Sequence, residues 1–142
     1  MAKITHKTIV SKTKLFCIEE LDVKFDNSSQ RKYEIISGTG QGAVMIIPIL
    51  NSNFVFISEY SAGINDYSLS FPKGKIDEGE SVLEAANREL QEEIGYKSTT
   101  LEQIYTIDLA PGYMNHKTHV VVADNLSESI LVGDEPEPLI KI

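Results

Sequence analysis

The sequence predicts an α/β fold, or α+β in the stricter sense, and three observations lead to this prediction. Short runs of β-forming residues, separated by turn residues, occupy most of the chain. One segment, residues 81–95, has instead the apolar spacing of an amphipathic helix. The chain has 142 residues, of which 42% are apolar and 24% are charged, so it is long enough for one hydrophobic core. These observations indicate a single globular domain that combines strands with one strongly helical segment.

Two hairpins are predicted in the first 60 residues. The runs 15–25 and 32–37 flank the turn-forming sequence DNSSQ, which indicates an antiparallel pair. The runs 42–50 and 53–60 flank Asn51-Ser52, a sequence typical of a tight hairpin turn. Residues 42–50 are apolar almost throughout, as expected for a strand that is covered on both faces.

The helix and the remaining strands follow in the second half of the chain. Ser81 and Glu84 have the spacing of a capping box, and Gly95 is a typical C-terminal stop. Between these signals, four apolar residues fall on one stripe of the helix: Val82, Ala86, Leu90 and Ile94. Residues 101–110 and 119–126 are predicted to be strands joined through Pro111-Gly112, and the final sequence PLIKI to begin another.

Charge and cysteine content exclude several classes of protein. The formal charge is −8, from 21 acidic and 13 basic residues, which disfavours non-specific binding to nucleic acid or to an anionic membrane. Cys17 is the only cysteine, so an intramolecular disulfide and a cysteine zinc site are excluded. The sequence has no apolar run of membrane-spanning length, and its start lacks a signal-peptide core. We therefore expect a cytoplasmic protein.

The helical segment contains an unusual concentration of carboxylates. Glu89, Glu92 and Glu93 share one sector of the helix beside the apolar stripe, where each like-charged pair costs about 0.2–0.5 kcal/mol. They also lie near the C-terminus of the helix, which disfavours anions. A hard divalent cation such as Mg²⁺ would reverse this penalty. The alternative is a solvated acidic helix face, but the glycine-containing loop before the helix and Arg88 beside the carboxylates favour a binding site.

The spacing of these residues resembles the signature of the Nudix superfamily. That signature is a glycine, five residues, a glutamate, seven residues and then Arg-Glu-aliphatic-any-Glu-Glu-any-Gly-aliphatic. Here Gly74 and Glu80 are followed by the run from Arg88 to Gly95, and only Tyr96 departs from the pattern. The resemblance implies a mixed β-sheet sandwiched by helices. It also implies a box at residues 74–96 that binds Mg²⁺ or Mn²⁺ and hydrolyses a nucleoside diphosphate linked to another moiety.

The same resemblance implies roles for the residues of the box. Glu89 and Glu93 are expected to bind metal, with Glu92 as a third ligand. Glu80 either binds a further metal or its water, or orients the loop. A carboxylate that holds no metal can accept a proton, so Glu92 and Glu93 are also catalytic candidates. Arg88 is expected to brace the carboxylates, and the two glycines of the box, Gly74 and Gly95, to have structural roles.

Outside the box, the chain resembles the NudE-type branch, whose members act on ADP-ribose, NADH and diadenosine polyphosphates and release AMP. Residues 43–49, 58–63, 109–114 and 133–139 carry much of this resemblance. It implies two groups of site residues. Candidate substrate contacts are Glu34 and Glu59, with Tyr60 or Tyr113 either stacking on adenine or only packing. Candidates for the general base or a late metal ligand are Glu135 and Glu137, unless their loop is simply solvated.

The resemblance also divides the chain and leaves alternatives open. Residues 1–40 would form an N-terminal antiparallel β extension that makes a homodimer, and residues 41–142 the Nudix domain. Members of the branch continue into a C-terminal helix, which we expect to be missing here, so either another subunit covers the exposed sheet face or fold and activity are compromised. Alternatives are another Nudix nucleoside-diphosphate or triphosphate pyrophosphohydrolase, an RNA-cap-type enzyme, which the negative charge disfavours, and a non-catalytic module that binds ADP-ribose or NAD.

Overall fold

A computed structural model describes residues 1–38 and 40–142, which form two compact units. The first unit contains residues 1–40 and 108–117, and the second contains residues 41–107 and 118–142. Their eleven strands and one α-helix follow one another along the chain as β1 (Lys3–Lys12), β2 (Cys17–Lys24), β3 (Gln30–Ser37), β4 (Ala43–Leu50), β5 (Asn53–Phe54), β6 (Ile57–Ser61), β7 (Asp66–Ser70), β8 (Lys73–Lys75), α1 (Val82–Glu93), β9 (Tyr96–Asp108), β10 (Lys117–Glu128) and β11 (Ile140–Lys141).

The first unit is an antiparallel sheet with the strand order β1-β2-β3. The predicted hairpin of β2 and β3 is confirmed, with a turn in which Ser28 has a φ of 66°. Strand β1 was not predicted, because its ten residues are all exposed and lack a clear apolar alternation. Lys32 of β3 bonds to Glu20 at 3.2 Å and to Asp22 at 2.8 Å across the β2–β3 pair.

The second unit contains two sheets. The larger has the order β5-β4-β10-β9, with β8 also paired to β4, and it is mixed because β10 runs parallel to β4 whereas β5 and β8 run antiparallel. The smaller sheet is antiparallel, in the order β11-β6-β7. Alternate residues of β4, Val44 and Ile46 among them, are fully buried, and their neighbours on the other face are half-buried.

The predicted strand at residues 53–60 is wrong as a single element. The turn at Asn51-Ser52 is present, with both residues at positive φ, but β5 ends at Phe54 and β6 starts in the other sheet at Ile57. The strand changes partner because Phe56 exchanges backbone hydrogen bonds with Ile142 and its ring stacks on Phe71 at 4.5 Å. The prediction missed β7 and β8. It placed one strand at 101–110 instead of Tyr96–Asp108, and the next at 119–126 instead of Lys117–Glu128, so that β10 was too short at both ends.

Helix α1 matches the sequence prediction closely. Ser81 and Glu84 form the reciprocal capping box, and Gly95 has a φ of +77° just beyond the C-cap. Ala86, Leu90 and Ile94 are buried in a core to which β4 and β10 also contribute. In the described residues α1 is the only α-helix, so the expected sandwich of several helices is corrected to a single one. At 12 residues it is too short to cross a membrane, and the described part of the chain holds no other helix that could.

Candidate active site

Two glutamates of α1 are buried beside the apolar stripe of the helix. Glu89 and Glu93 are each only 7% exposed, and their i, i+4 spacing places them on the same side of α1. The apolar stripe of α1 packs against β4 and β8. Glu89 and Glu93 lie beside this stripe and therefore lie close to the same sheet. Buried carboxylates are rare unless they are paired or bind a metal. The position of these two glutamates therefore indicates a function.

A third carboxylate joins them from the segment between β10 and β11. We call residues 129–139 the acidic loop. Oxygen atoms of Glu89, Glu93 and Glu135 all lie within 4.8 Å of one another, and we call these three residues the carboxylate cluster. Three hard oxygen donors at this separation fit a Mg²⁺ or Mn²⁺ ion and do not suit a soft metal.

Arg88 links Glu80 and Glu92, which lie outside the carboxylate cluster, to Glu89 within it. Its guanidinium donates hydrogen bonds to Glu80 Oε2 at 2.8 Å, Glu80 Oε1 at 2.9 Å, Glu89 Oε1 at 2.8 Å, Glu92 Oε2 at 3.2 Å and the Lys75 carbonyl at 2.9 Å. Both oxygens of Glu80 are thereby occupied, and Glu80 Oε1 also accepts the Asp77 backbone N–H. Arg88 thus ties the loop before α1 to the polar side of the helix.

Strand β8 supplies two further contacts to the cluster. The backbone N–H of Lys73 donates to Glu93 Oε2 at 3.0 Å. Gly74 lies directly against Glu89, and a Cβ at residue 74 would overlap that carboxylate. Glycine is therefore required here for the close approach of strand and helix. This is a physical reason for the first glycine of the box.

Burial changes the acidity of the helix carboxyls. Desolvation raises the pKa of Glu93 to about 8, and the nearby charge of Glu89 adds to the rise. Desolvation also raises the pKa of Glu89 to about 7, although the hydrogen bond from Arg88 acts in the opposite direction. By contrast, the hydrogen bonds from Arg88 lower the pKa of Glu80. Burial thus destabilises the ionised forms of Glu89 and Glu93 near neutral pH, and a bound divalent cation would stabilise them.

An open cleft of about 650 Å³ lies over the cluster. Besides the cluster itself, its lining includes Glu59, Lys73, Lys75, Arg88 and Glu92. The Lys73 ammonium lies 3.9 Å from Glu59. The cleft thus combines acidic groups suited to a cation with two lysines that can attract phosphate.

Two further predicted site residues of the second unit, Glu137 and Tyr60, are not among the residues that line the cleft. Glu137 accepts a hydrogen bond from the Tyr67 hydroxyl at 2.5 Å and is not part of the carboxylate cluster. Tyr60 is exposed, and its hydroxyl donates to Asn65 at 3.0 Å. Glu34 and Tyr113 belong to the first unit, where Glu34 is exposed opposite Glu20 and Tyr113 is 72% exposed.

Sequence reasoning missed four residues around the site. Tyr67, Lys73 and Gly133 contact predicted site carboxylates, and the carbonyl of Lys75 accepts a hydrogen bond from Arg88. Lys73 and Lys75 flank the first glycine of the box, so their position in the sequence was an available signal. Tyr67 and Gly133 had no comparable signal, because their contacts arise from tertiary packing.

The chain belongs to the Nudix family. The family model of the NUDIX domain matches residues 40–140, and the model of the NudE-type Nudix hydrolase N-terminal domain matches residues 3–34. The family prediction and the mixed α and β fold are thereby confirmed. Nudix hydrolases generally use divalent metal ions, in agreement with the hard donors of the carboxylate cluster.

Known proteins resemble the chain along nearly its whole length. The ADP compounds hydrolase NudE of Escherichia coli (strain K12) is 44% identical over 136 residues, which are 96% of this chain and 73% of that protein. The ADP-sugar pyrophosphatase of Mus musculus is 30% identical over 146 residues, covering 95% of this chain and 67% of that protein. A crystal structure of an ADP compounds hydrolase matches with a TM-score of 0.92 and 42% identity, covering 99% of this chain and 76% of the other.

Proposed function

We propose that this protein is a metal-dependent pyrophosphatase that hydrolyses ADP-linked nucleotides and releases AMP. The observation that carries the proposal is the cluster of Glu89, Glu93 and Glu135 in a chain of the Nudix family. The nature of the relatives supports the substrate class, since one is an ADP compounds hydrolase and another an ADP-sugar pyrophosphatase.

Glu89, Glu93 and Glu135 are the residues that we propose to hold Mg²⁺ or Mn²⁺. When bound, the ion neutralises negative charge that develops on the phosphoryl oxygens and makes an attacking water more acidic. Glu92 lines the same cleft and remains a candidate for a further ligand. Because both oxygens of Glu80 already accept hydrogen bonds from Arg88, we favour a role for Glu80 in orienting the loop.

Two lysines of the cleft attract the phosphates of the substrate, and a glutamate accepts the proton of the attacking water. Lys73 and Lys75 place positive charge in the cleft, where it attracts a diphosphate. The candidates for the general base are the predicted catalytic glutamates: Glu92, Glu93, Glu135 and Glu137. We favour Glu135, with one carboxylate oxygen on the ion and the other free to accept the proton, because it is half-buried in the cleft and accepts no hydrogen bond from the described residues. A proton acceptor needs such a free oxygen.

ADP-ribose, NADH and diadenosine polyphosphates are the substrates that we propose. All three contain an adenosine linked through a diphosphate or a longer phosphate chain, so the same cleft chemistry applies to each. Glu59 lines the cleft, which supports its predicted contact with substrate. The contacts predicted for Glu34, Tyr60 and Tyr113 stay predictions.

A homodimer is part of the proposal. Strand β1 forms one edge of its sheet and is exposed over all ten residues, including the apolar Ile4, Ile9 and Val10. An exposed edge strand that carries apolar side chains is a common site of association. Sedimentation equilibrium should give twice the 15.8 kDa mass of one chain, and a single-chain mass at every concentration would contradict the dimer. The cytoplasmic location stays a prediction.

Product analysis tests the proposed activity. The purified protein is incubated with ADP-ribose, NADH or diadenosine triphosphate, with Mg²⁺, with Mn²⁺ or with a chelator. We expect AMP to appear only with a divalent metal. Glu93→Gln should remove at least about 99% of the rate, because the variant loses a charged ligand of the cluster.

Glu102→Gln is the matched control for this test, since it makes the same chemical change at an exposed position of β9. It should retain the wild-type rate. A folded wild-type protein that binds these nucleotides but releases no AMP would exclude the enzyme and favour a binding module.

A further inference from the structure

Glu135 is the one member of the carboxylate cluster that α1 does not carry. It lies in the acidic loop, which joins β10 to β11 through eleven residues without regular secondary structure. A segment of this kind loses conformational entropy when one of its side chains must occupy a fixed position. The position of Glu135 beside Glu89 and Glu93 therefore requires contacts that restrain the loop.

The start of the acidic loop is fastened to the end of α1. The Ser129 backbone N–H donates to the Gly95 carbonyl at 2.9 Å, and the Ser129 hydroxyl donates to Gln91 Oε1 at 2.8 Å. The Leu131 N–H donates to the Gln91 carbonyl at 3.1 Å. These bonds fix residues 129–131 but leave Glu135 four residues beyond the last of them.

A second attachment lies on the far side of Glu135. The Tyr67 hydroxyl of β7 donates to Glu137 Oε1 at 2.5 Å. The bond raises the pKa of Tyr67, as expected when a phenol donates to a carboxylate. Because Tyr67 is held in the antiparallel pair of β6 and β7, it gives the loop a fixed point two residues after Glu135.

Gly133 sets the direction of the Glu135 side chain. The Glu135 carboxylate lies against the Cα of Gly133, and a Cβ at residue 133 would overlap it. Any other residue at position 133 would therefore force this carboxylate, or the loop beneath it, to move.

We infer that Tyr67, Glu137 and Gly133 are positioning residues, which hold the acidic loop so that Glu135 completes the carboxylate cluster. The inference rests on the proposed function and deepens it, because it concerns the assembly of the metal-binding group. It also assigns Glu137 a different task from the one predicted from the sequence. Glu137 acts through Tyr67 and the loop, whereas Glu135 faces the reacting groups.

Mn²⁺ binding to the substrate-free protein tests this inference directly. Isothermal titration calorimetry should show that Tyr67→Phe and Gly133→Ala each weaken Mn²⁺ binding roughly tenfold, a typical loss when groups supporting a metal ligand are removed. AMP release should fall at low Mn²⁺ and recover at saturating Mn²⁺. The melting temperature in chelator should stay close to the wild-type value, because Tyr67 and Glu137 are exposed and Gly133 and Glu135 line an open cleft outside the hydrophobic core.

Two matched controls make the same chemical changes away from the loop. Tyr105→Phe removes the hydroxyl of an exposed tyrosine of β9, and Gly63→Ala adds a Cβ that meets nothing within 4 Å. Both should bind Mn²⁺ as the wild type does. Glu137→Ala should weaken Mn²⁺ binding as much as Tyr67→Phe does. The double variant should bind Mn²⁺ no more weakly than either single variant, since both substitutions remove the same hydrogen bond.

The outcomes separate the inference from the proposed function. If wild-type protein binds no Mn²⁺ and releases no AMP, the proposed function fails and the inference fails with it. If the wild type binds Mn²⁺ and releases AMP, but Tyr67→Phe and Gly133→Ala bind Mn²⁺ as tightly as their controls do, only the inference is overturned. A Glu137→Ala variant that remains far less active than Tyr67→Phe at saturating Mn²⁺ also overturns it, because Glu137 would then act directly.

Discussion

At the level of single residues, Glu89 occupies space that a side chain at residue 74 would fill. A Cβ at Gly74 would overlap the Glu89 carboxylate, and Glu89 is only 7% exposed. Because protein interiors are closely packed, alanine at this position would require either Glu89 or β8 to move. Movement of Glu89 would in turn disturb its hydrogen bond with Arg88.

We therefore expect Gly74→Ala to weaken both Mn²⁺ binding and AMP release by roughly tenfold or more. Overpacking should also lower the free energy of unfolding by about 1–3 kcal/mol. Calorimetric Mn²⁺ titration and thermal unfolding in chelator measure the two effects. Gly112→Ala is the control, since an added Cβ there meets nothing within 4 Å. Wild-type Mn²⁺ affinity in Gly74→Ala would refute the proposed role of this close approach.

The residues of the box could be identified from sequence because their spacing is local. A single helix fixes Glu89 and Glu93 relative to each other, and the i, i+4 rule is enough to place them on one side. The same reasoning could not reveal Gly133 or Tyr67. Gly133 acts on Glu135 through a loop conformation, and Tyr67 meets Glu137 across 70 positions of the chain.

At the level of elements, α1 was predictable because all its signals agree. The capping box, the apolar stripe and the glycine stop lie within fifteen residues of one another, and each acts locally. The helix is also fixed to its surroundings by backbone contacts near its end, from Ser129 and Leu131. Agreement among local signals is what makes a sequence specify an element.

Strands were predicted less well because their partners are distant in sequence. Residues 53–60 contain a continuous β-forming pattern, yet Phe56 pairs with Ile142, and the segment divides between two sheets. Strand β8 has only three residues, Lys73–Lys75, and exists because it pairs with β4. β-Propensity depends on such tertiary context more than helix propensity does.

At the level of the whole molecule, the family resemblance predicted the fold more completely than the local patterns did. Local patterns predicted hairpins and one helix, whereas the resemblance predicted the mixed sheet that β4 and β10 form by parallel pairing. Neither indicated that residues 108–117 would belong to the same compact unit as residues 1–40. That grouping depends on backbone bonds between Ile36 and the segment at Tyr113 and Asn115, which no local pattern predicts.

The stability of the whole protein should depend on pH through its buried carboxyls. Burial raises the pKa of Glu93 to about 8 and that of Glu89 to about 7, from 4.5 for an ordinary glutamate. The folded state therefore binds these protons more tightly than the unfolded state does. Their contribution to stability is fully present below the unfolded pKa and is lost as pH rises through the folded values. The contribution of Glu80 to stability depends on pH in the opposite direction. Because its pKa is lowered in the folded state, this contribution is lost as pH falls.

We expect the melting temperature of the protein in chelator to fall as pH rises from about 5 to about 8.5. Glu93→Gln should make this decline shallower, since it removes the carboxyl with the larger shift, whereas Glu102→Gln should leave it unchanged. A difference of one unit between the folded and unfolded pKa corresponds to about 1.4 kcal/mol in the free energy of unfolding. The fall in melting temperature over this pH range should therefore reach several degrees.

Saturating Mg²⁺ should reduce the decline of the wild type, because the cation binds the ionised carboxylates and its affinity grows as they lose their protons. Differential scanning calorimetry across this pH range, with chelator or with Mg²⁺, measures both effects. Equal pH dependence in wild type and Glu93→Gln would show that the buried Glu93 carboxyl does not control stability. A wild-type decline that Mg²⁺ leaves unaltered would instead separate the buried carboxyls from metal binding, and Mg²⁺ would then bind elsewhere or not at all.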